Sequence, residues 1–268
     1  MNIIERNFFR LLRAGAFNQE EPIEPLSAWK WRRLYQLSLM HDVESLIRRG
    51  ISRCEGQFFV QIPENLLAEW RTTDAEETED ENVMLTPDHL TNPILNKRLQ
   101  SILDEEDTTM ETRQMLQMLL GIARFIMNAG IPVKRIAELA IFLRHQSGKI
   151  DFERIGVWTE RLKLQPMVQL AGVLLIRLMH MEREELPFMT PESDAATEKQ
   201  LHKILKLKNS HAEEWYFSQG KNIFVHTSNP SAMLWHVRRS AQYFRYYPSE
   251  TLTNFVTSFA HSLSHIEE

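Results

Sequence analysis

Residues 110–134 read METRQMLQMLLGIARFIMNAGIPVK, and RIAELAIFLRH follows over 135–145. The first stretch, 110–128, is amphipathic at helical period and rich in Met, Leu, Arg and Gln, all good helix formers. Gly130 interrupts it, and glycine readily adopts the positive φ that ends a helix. A second helical pattern begins directly after Gly130-Ile131-Pro132-Val133-Lys134, with no strand pattern between the two. A helix, a short break and another helix is the grammar of an all-α chain.

The same punctuation recurs outward from this junction. Gly148 follows the helical pattern of 135–146 and Gly50 follows that of 42–49, so both are read as helix stops. Helix starts are marked by a polar residue before proline: Thr86-Pro87, Asn92-Pro93, Gln165-Pro166, Thr190-Pro191 and Asn229-Pro230. The polar side chain caps free N–H groups, and proline at the first helical position lacks an N–H that would have had no partner. After Asn92-Pro93, the residues Ile94, Leu95, Leu99, Ile102 and Leu103 fall on one helical stripe. After Gln165-Pro166 the stripe is Met167, Leu170, Val173, Leu174 and Leu178. A last hairpin is expected between 231–246 and 250–264, broken at Tyr247-Pro248. Alternation of period two is confined to 57–62 and 222–226, each one short strand at most. The expected fold is therefore all-α, a multi-helix bundle of helical hairpins with at most one or two short strands.

Composition bounds the rest. With 43% hydrophobic and 25% charged residues among 268, the chain is ordinary globular material. Residues 72–82 are acidic and hold no apolar side chain beyond Ala75, which reads as a solvated linker. The expected organisation is an N-terminal helical unit (1–71), an acidic linker (72–91), a central helical unit (92–189) and a basic, aromatic C-terminal helical unit (190–268). Cys54 is the lone cysteine, so neither an intramolecular disulfide nor a four-thiolate metal site can form. Charges interrupt the N-terminal apolar runs, and the most apolar stretch, 168–176, is closed by Arg177. Neither a signal peptide nor a membrane span is expected, and the cytoplasm is the expected location.

Three groups of residues bear on chemistry. Asp151 and Glu153 alternate about Phe152; on a strand they would share a face and hold a divalent metal. Phe152, Ile155, Trp158 and Leu162 follow at helical spacing, which makes Asp151 a helix N-cap instead. His261 and His265 are spaced to chelate on a helix face, but no third ligand accompanies them. The net charge of −5 hides a basic stretch, 199–248, with eight Lys/Arg against Glu213 and Glu214. Within and beside its aromatics, Arg238, Arg239, Arg245, Lys203 and Lys206 form a candidate interaction surface. The negative whole-chain charge disfavours nucleic acid as its partner. The methionines Met110, Met115, Met118 and Met127 are expected in the core rather than in a docking groove.

Several blocks carry a resemblance. They are residues 8–15 (FFRLLRAG), the stretch 29–49 with Trp29, Tyr35, Leu37, His41 and Leu46, and residues 62–70 (IPENLLAEW). Residues 135–145, Lys149-Ile150-Asp151-Phe152-Glu153, Leu186-Pro187-Phe188 and Tyr247-Pro248-Ser249-Glu250 continue them. Together they resemble the helical flanks of an uncharacterised bacterial nucleotidyltransferase family. In that family the counterpart of the 130–134 junction opens a catalytic sheet with a Gly-Ser loop and paired acids. This chain lacks both motifs, so no catalytic residue, metal ligand or cofactor-binding residue is carried over, and no cofactor is expected. The resemblance implies a non-catalytic, cytosolic interaction or scaffold protein that binds a protein partner or a second copy of itself. The alternatives are a divergent metal-dependent nucleotidyltransferase using Asp151 and Glu153, and a phosphate or nucleic-acid binder using the C-terminal unit.

Overall fold

A computed structural model describes residues 1–58, 60–73, 89–128 and 133–190, together with Tyr247 and Thr253. Among these residues the chain forms nine α-helices: α1 (Ile3–Phe17), α2 (Ala28–Met40), α3 (Glu44–Cys54), α4 (Glu64–Thr73), α5 (Pro93–Leu103), α6 (Met110–Asn128), α7 (Val133–Gln146), α8 (Phe152–Arg161) and α9 (Gln165–Met179). Short 3-10 turns at Ser147–Lys149 and Arg183–Glu185 follow α7 and α9. No strand occurs among the described residues, so the fold class is all-α.

The ends of the helices follow from side chains. Asn2 starts α1 with a reciprocal cap: its Oδ1 accepts from the N–H of Ile4 and Glu5, while Glu5 accepts from the N–H of Asn2. Asn92 Oδ1 accepts from the N–H of Ile94 and Leu95, both at 3.1 Å, with Pro93 as the first helical residue. The α6 bounds coincide with the amphipathic stretch, and α7 starts at Val133, inside the junction sequence.

Several expectations are corrected. Gly50 does not end a helix; it lies inside α3, where the missing side chain lets α3 pack backbone to backbone on α1. Gln165 does not cap α9 but is its first residue; buried Leu164 precedes it, and no side chain caps that end. Ile94 leaves the apolar stripe of α5 and stands 67% exposed, while Leu95, Leu99 and Ile102 take the core face. The described residues of 57–62 form no strand. Gln57 instead clamps the α1–α2 connection, its Nε2 donating to the Glu21 carbonyl at 2.7 Å and its Oε1 accepting from the Ile23 N–H at 3.0 Å. With no neighbouring strand to pair with, side-chain hydrogen bonds decide this segment.

One apolar core runs through the described helices. Phe8, Phe9, Leu11 and Leu12 of α1 are buried with Trp31 and Leu34 of α2, Ile47 and Ile51 of α3, and Trp70 of α4. Helix α1 also packs against α7 and α9. Helix α9 is buried on nearly every side and forms the centre of the α6–α9 group. Met115 is fully buried as expected, whereas Met110 is 80% exposed.

Candidate functional site

The basic residues singled out from the sequence, Arg238, Arg239, Arg245, Lys203 and Lys206, lie outside the described residues. So do His261, His265 and both arms of the expected C-terminal hairpin, apart from Thr253. Tyr247, between the arms, is fully buried. The Thr253 hydroxyl accepts a hydrogen bond from Asn92 Nδ2 at 3.0 Å, at the start of α5.

Asp151 and Glu153 do not converge. Asp151 is the N-cap of α8: its Oδ1 accepts from the Arg154 N–H at 2.9 Å, and its own N–H donates to Thr112 Oγ1. Glu153 stands exposed on the first turn of α8. A helix through these positions turns the two carboxylates to different faces, as the N-cap reading expects. Among the described residues no cluster of three or more His, Cys, Asp or Glu side chains is placed to hold a metal ion.

Among the described residues, a groove with a volume of ≈ 420 Å³ opens between α5 and the end of α8. Pro93, Ile94, Lys97, Arg98, Ser101 and Arg161 line it. Five of these lie on α5, where spacings of three and four residues bring them to one face. That face is opposite the core stripe of Leu95, Leu99 and Ile102, so burying the stripe presents Ile94, Lys97, Arg98 and Ser101 to solvent.

The far wall is fixed by Glu105. Its Oε1 accepts from Arg161 Nη1 at 2.7 Å, and its Oε2 accepts from the Trp158 indole N–H at 2.9 Å. Partial burial pushes the Glu105 carboxyl upward, but the hydrogen bonds from Arg161 and Trp158 outweigh it and hold the group below the ordinary carboxylate range. Arg161 also donates to Ser101 Oγ at 3.3 Å, and Arg98 donates to the Arg161 carbonyl at 2.8 Å. That carbonyl lies at the end of α8, where the helix dipole favours a cation. Arg161 is thus anchored by an acid, whereas Lys97 and Arg98 have no acidic partner among the described residues.

Sequence reasoning missed this groove because Lys97 and Arg98 look like ordinary polar positions of an amphipathic helix. A signal was present in Asp104-Glu105-Glu106-Asp107, which faces Arg154 and Arg161, two arginines seven residues apart on one helix. Most other polar clusters have structural work. Arg6 and Arg10 both pair with Glu24, and Arg13 makes a buried bidentate pair with Glu21. Gln57, Arg13 and these pairs hold the α1–α2 connection onto α1. Cys54 is buried, with its thiol on the Glu21 carbonyl, and burial pushes its pKa up, away from a reactive thiolate.

No described helix is long and apolar enough to cross a membrane. Comparison of the chain with protein-family models, with curated proteins and with solved structures finds no match.

Proposed function

We propose that this chain is a non-catalytic helical interaction module, related through its helical flanks to nucleotidyltransferase-like proteins and acting by binding a protein partner. One observation carries the reading. The α5–α8 groove exposes Ile94 between Pro93 and the cations Lys97 and Arg98, neither of which has an acidic partner among the described residues. An exposed aliphatic side chain beside cations that lack acidic partners offers a ligand one apolar and two electrostatic contacts side by side. Asp151, the acid that the metal-dependent alternative calls on, caps α8 instead.

The test is native mass measurement of the full chain as purified, beside the variant Ile94→Asp/Lys97→Glu. The expected result is a complex, with another protein or with a second copy, that the wild type retains and the variant loses while both melt alike. A wild-type chain that stays alone at every concentration and behaves like the variant rejects the reading.

A further inference from the structure

We infer that the α5–α8 groove receives an acidic protein segment that sets an aliphatic side chain on Ile94 and carboxylates on Lys97 and Arg98. This rests on the interaction reading above and names the class of partner. Ser101 lies seven residues beyond Ile94 on α5, which is about 10 Å along a helix axis. That length matches about three residues of an extended segment or two turns of a helix. Ile94 supplies the apolar contact, 67% exposed on the free face of α5. Lys97 and Arg98 follow it by three and four residues, so both charges flank the apolar contact one turn further on. Arg161 is already neutralised by Glu105 at 2.7 Å and acts as a wall that positions Ser101 and Arg98.

Charge complementarity selects among occupants. The groove is cationic on a chain of net charge −5, so its field is local and suits a short acidic ligand. A nucleic acid would need a longer track of cations and a stacking surface, and among the described residues no aromatic side chain lines the groove. A second copy joined by a two-fold axis through this face would set Lys97 and Arg98 against their own equivalents.

The experiment is fluorescence anisotropy on the full-length chain. The probe is a fluorescein-labelled twelve-residue peptide of glutamates and aspartates around one central leucine. The comparisons are its leucine-to-serine version, a lysine version and a labelled single-stranded oligodeoxynucleotide. Saturable binding of the acidic leucine peptide is expected, weakened about tenfold or more in Lys97→Glu/Arg98→Glu and reduced by salt. Loss of the leucine and Ile94→Ser are each expected to weaken it about fivefold, the scale of one small apolar contact. Lys97→Gln serves as a milder variant, and each melting curve is recorded to show that the helices are intact.

Equal binding by wild type and Lys97→Glu/Arg98→Glu overturns the proposal, as does preference for the oligodeoxynucleotide. Peptide binding that emerges only when the acids of 74–81 are changed to amides assigns the groove to the chain's own acidic segment and also overturns it. If the native complex depends on Ile94 and Lys97 but the acidic peptide does not bind, the interaction reading stands and this ligand class falls. If neither measurement responds to the groove variants, both fall.

Discussion

Gly15 and Gly50 meet backbone to backbone where α1 crosses α3. A Cβ on Gly15 would lie 1.8 Å from the Leu46 carbonyl oxygen, and one on Gly50 would lie 2.0 Å from that of Leu11. Neither obstacle is the free end of a side chain, so a methyl group forces the helices apart and loosens Leu11, Leu12, Leu46 and Ile47. Gly50→Ala is expected to cost about 3 kcal/mol, at the upper end for overpacking. Gly156 of α8 has open space where a Cβ would sit. Gly156→Ala is expected to gain about 0.5–1 kcal/mol from helix propensity alone. Urea midpoints of the two variants should move in opposite directions; a parallel shift removes the close-crossing explanation.

Arg13 and Glu21 form a buried pair, with side-chain exposures of 5% and 13% and a shortest contact of 2.8 Å. Burial pushes Glu21 upward, but the hydrogen bonds and charge of Arg13 win and lower its pKa. Arg13→Met leaves the buried Glu21 carboxylate without its cation and is expected to cost about 3 kcal/mol. The exposed pair Arg32–Glu69 is the comparison. Arg32→Met is expected to change stability by about 0–1 kcal/mol. Similar thermal shifts in the two variants would contradict the burial argument.

Acid should weaken this fold before its carboxylates protonate. His41 is tucked beside Phe8, with ring centroids 5.9 Å apart, and burial lowers its pKa from 6.5 to about 4. Between those values the unfolded chain takes up a proton that the folded one refuses. The contribution is complete above about pH 6.5 and drains away as pH falls towards about 4. Its full size is on the order of 3 kcal/mol. His180, also lowered, adds in the same direction. The slope of stability against pH in this window should flatten in His41→Phe; an unchanged slope excludes His41 as its source.

The capping side chains give a third scale. Asn92→Ala and Asp151→Ala each remove an acceptor from a helix start and are expected to cost about 1 kcal/mol in a denaturant melt. Asp151→Ala also separates capping from catalysis. Incubation of the wild type with labelled nucleoside triphosphate and a divalent metal is expected to leave no transferred label. Transfer that disappears in Asp151→Ala would make this residue catalytic.

Much of the architecture was legible because helix signals here are local. The 110–128 stretch, Asn92-Pro93 and the Asp151 cap each announce a helix within a few residues. What escaped was long-range. Gly50 reads as a stop until Gly15 is known to sit opposite it, and a crossing between α1 and α3 has no local signature. Gln57 reads as a strand position until the Glu21 carbonyl is found within its reach. The groove was hidden for the same reason, since the exposure of Ile94 depends on which face of α5 the core claims. The cations there sort themselves only once Arg161, far off in sequence at the end of α8, is seen to take Glu105 as its partner and leave Lys97 and Arg98 without an acid among the described residues.

The hydrogen bond from Arg13 Nη1 to the Leu178 carbonyl spans 165 residues. It has a consequence for the order in which the chain is made. During synthesis α1 is complete long before α9 leaves the ribosome, at typical rates by roughly 10–30 s. Throughout that interval Arg13 lacks one of its acceptors, and the side of α1 destined for α7 and α9 has nothing to cover it. The nascent chain therefore passes through a stage in which its earliest helices are assembled but unfinished, and that stage is where a chaperone would have most to hold.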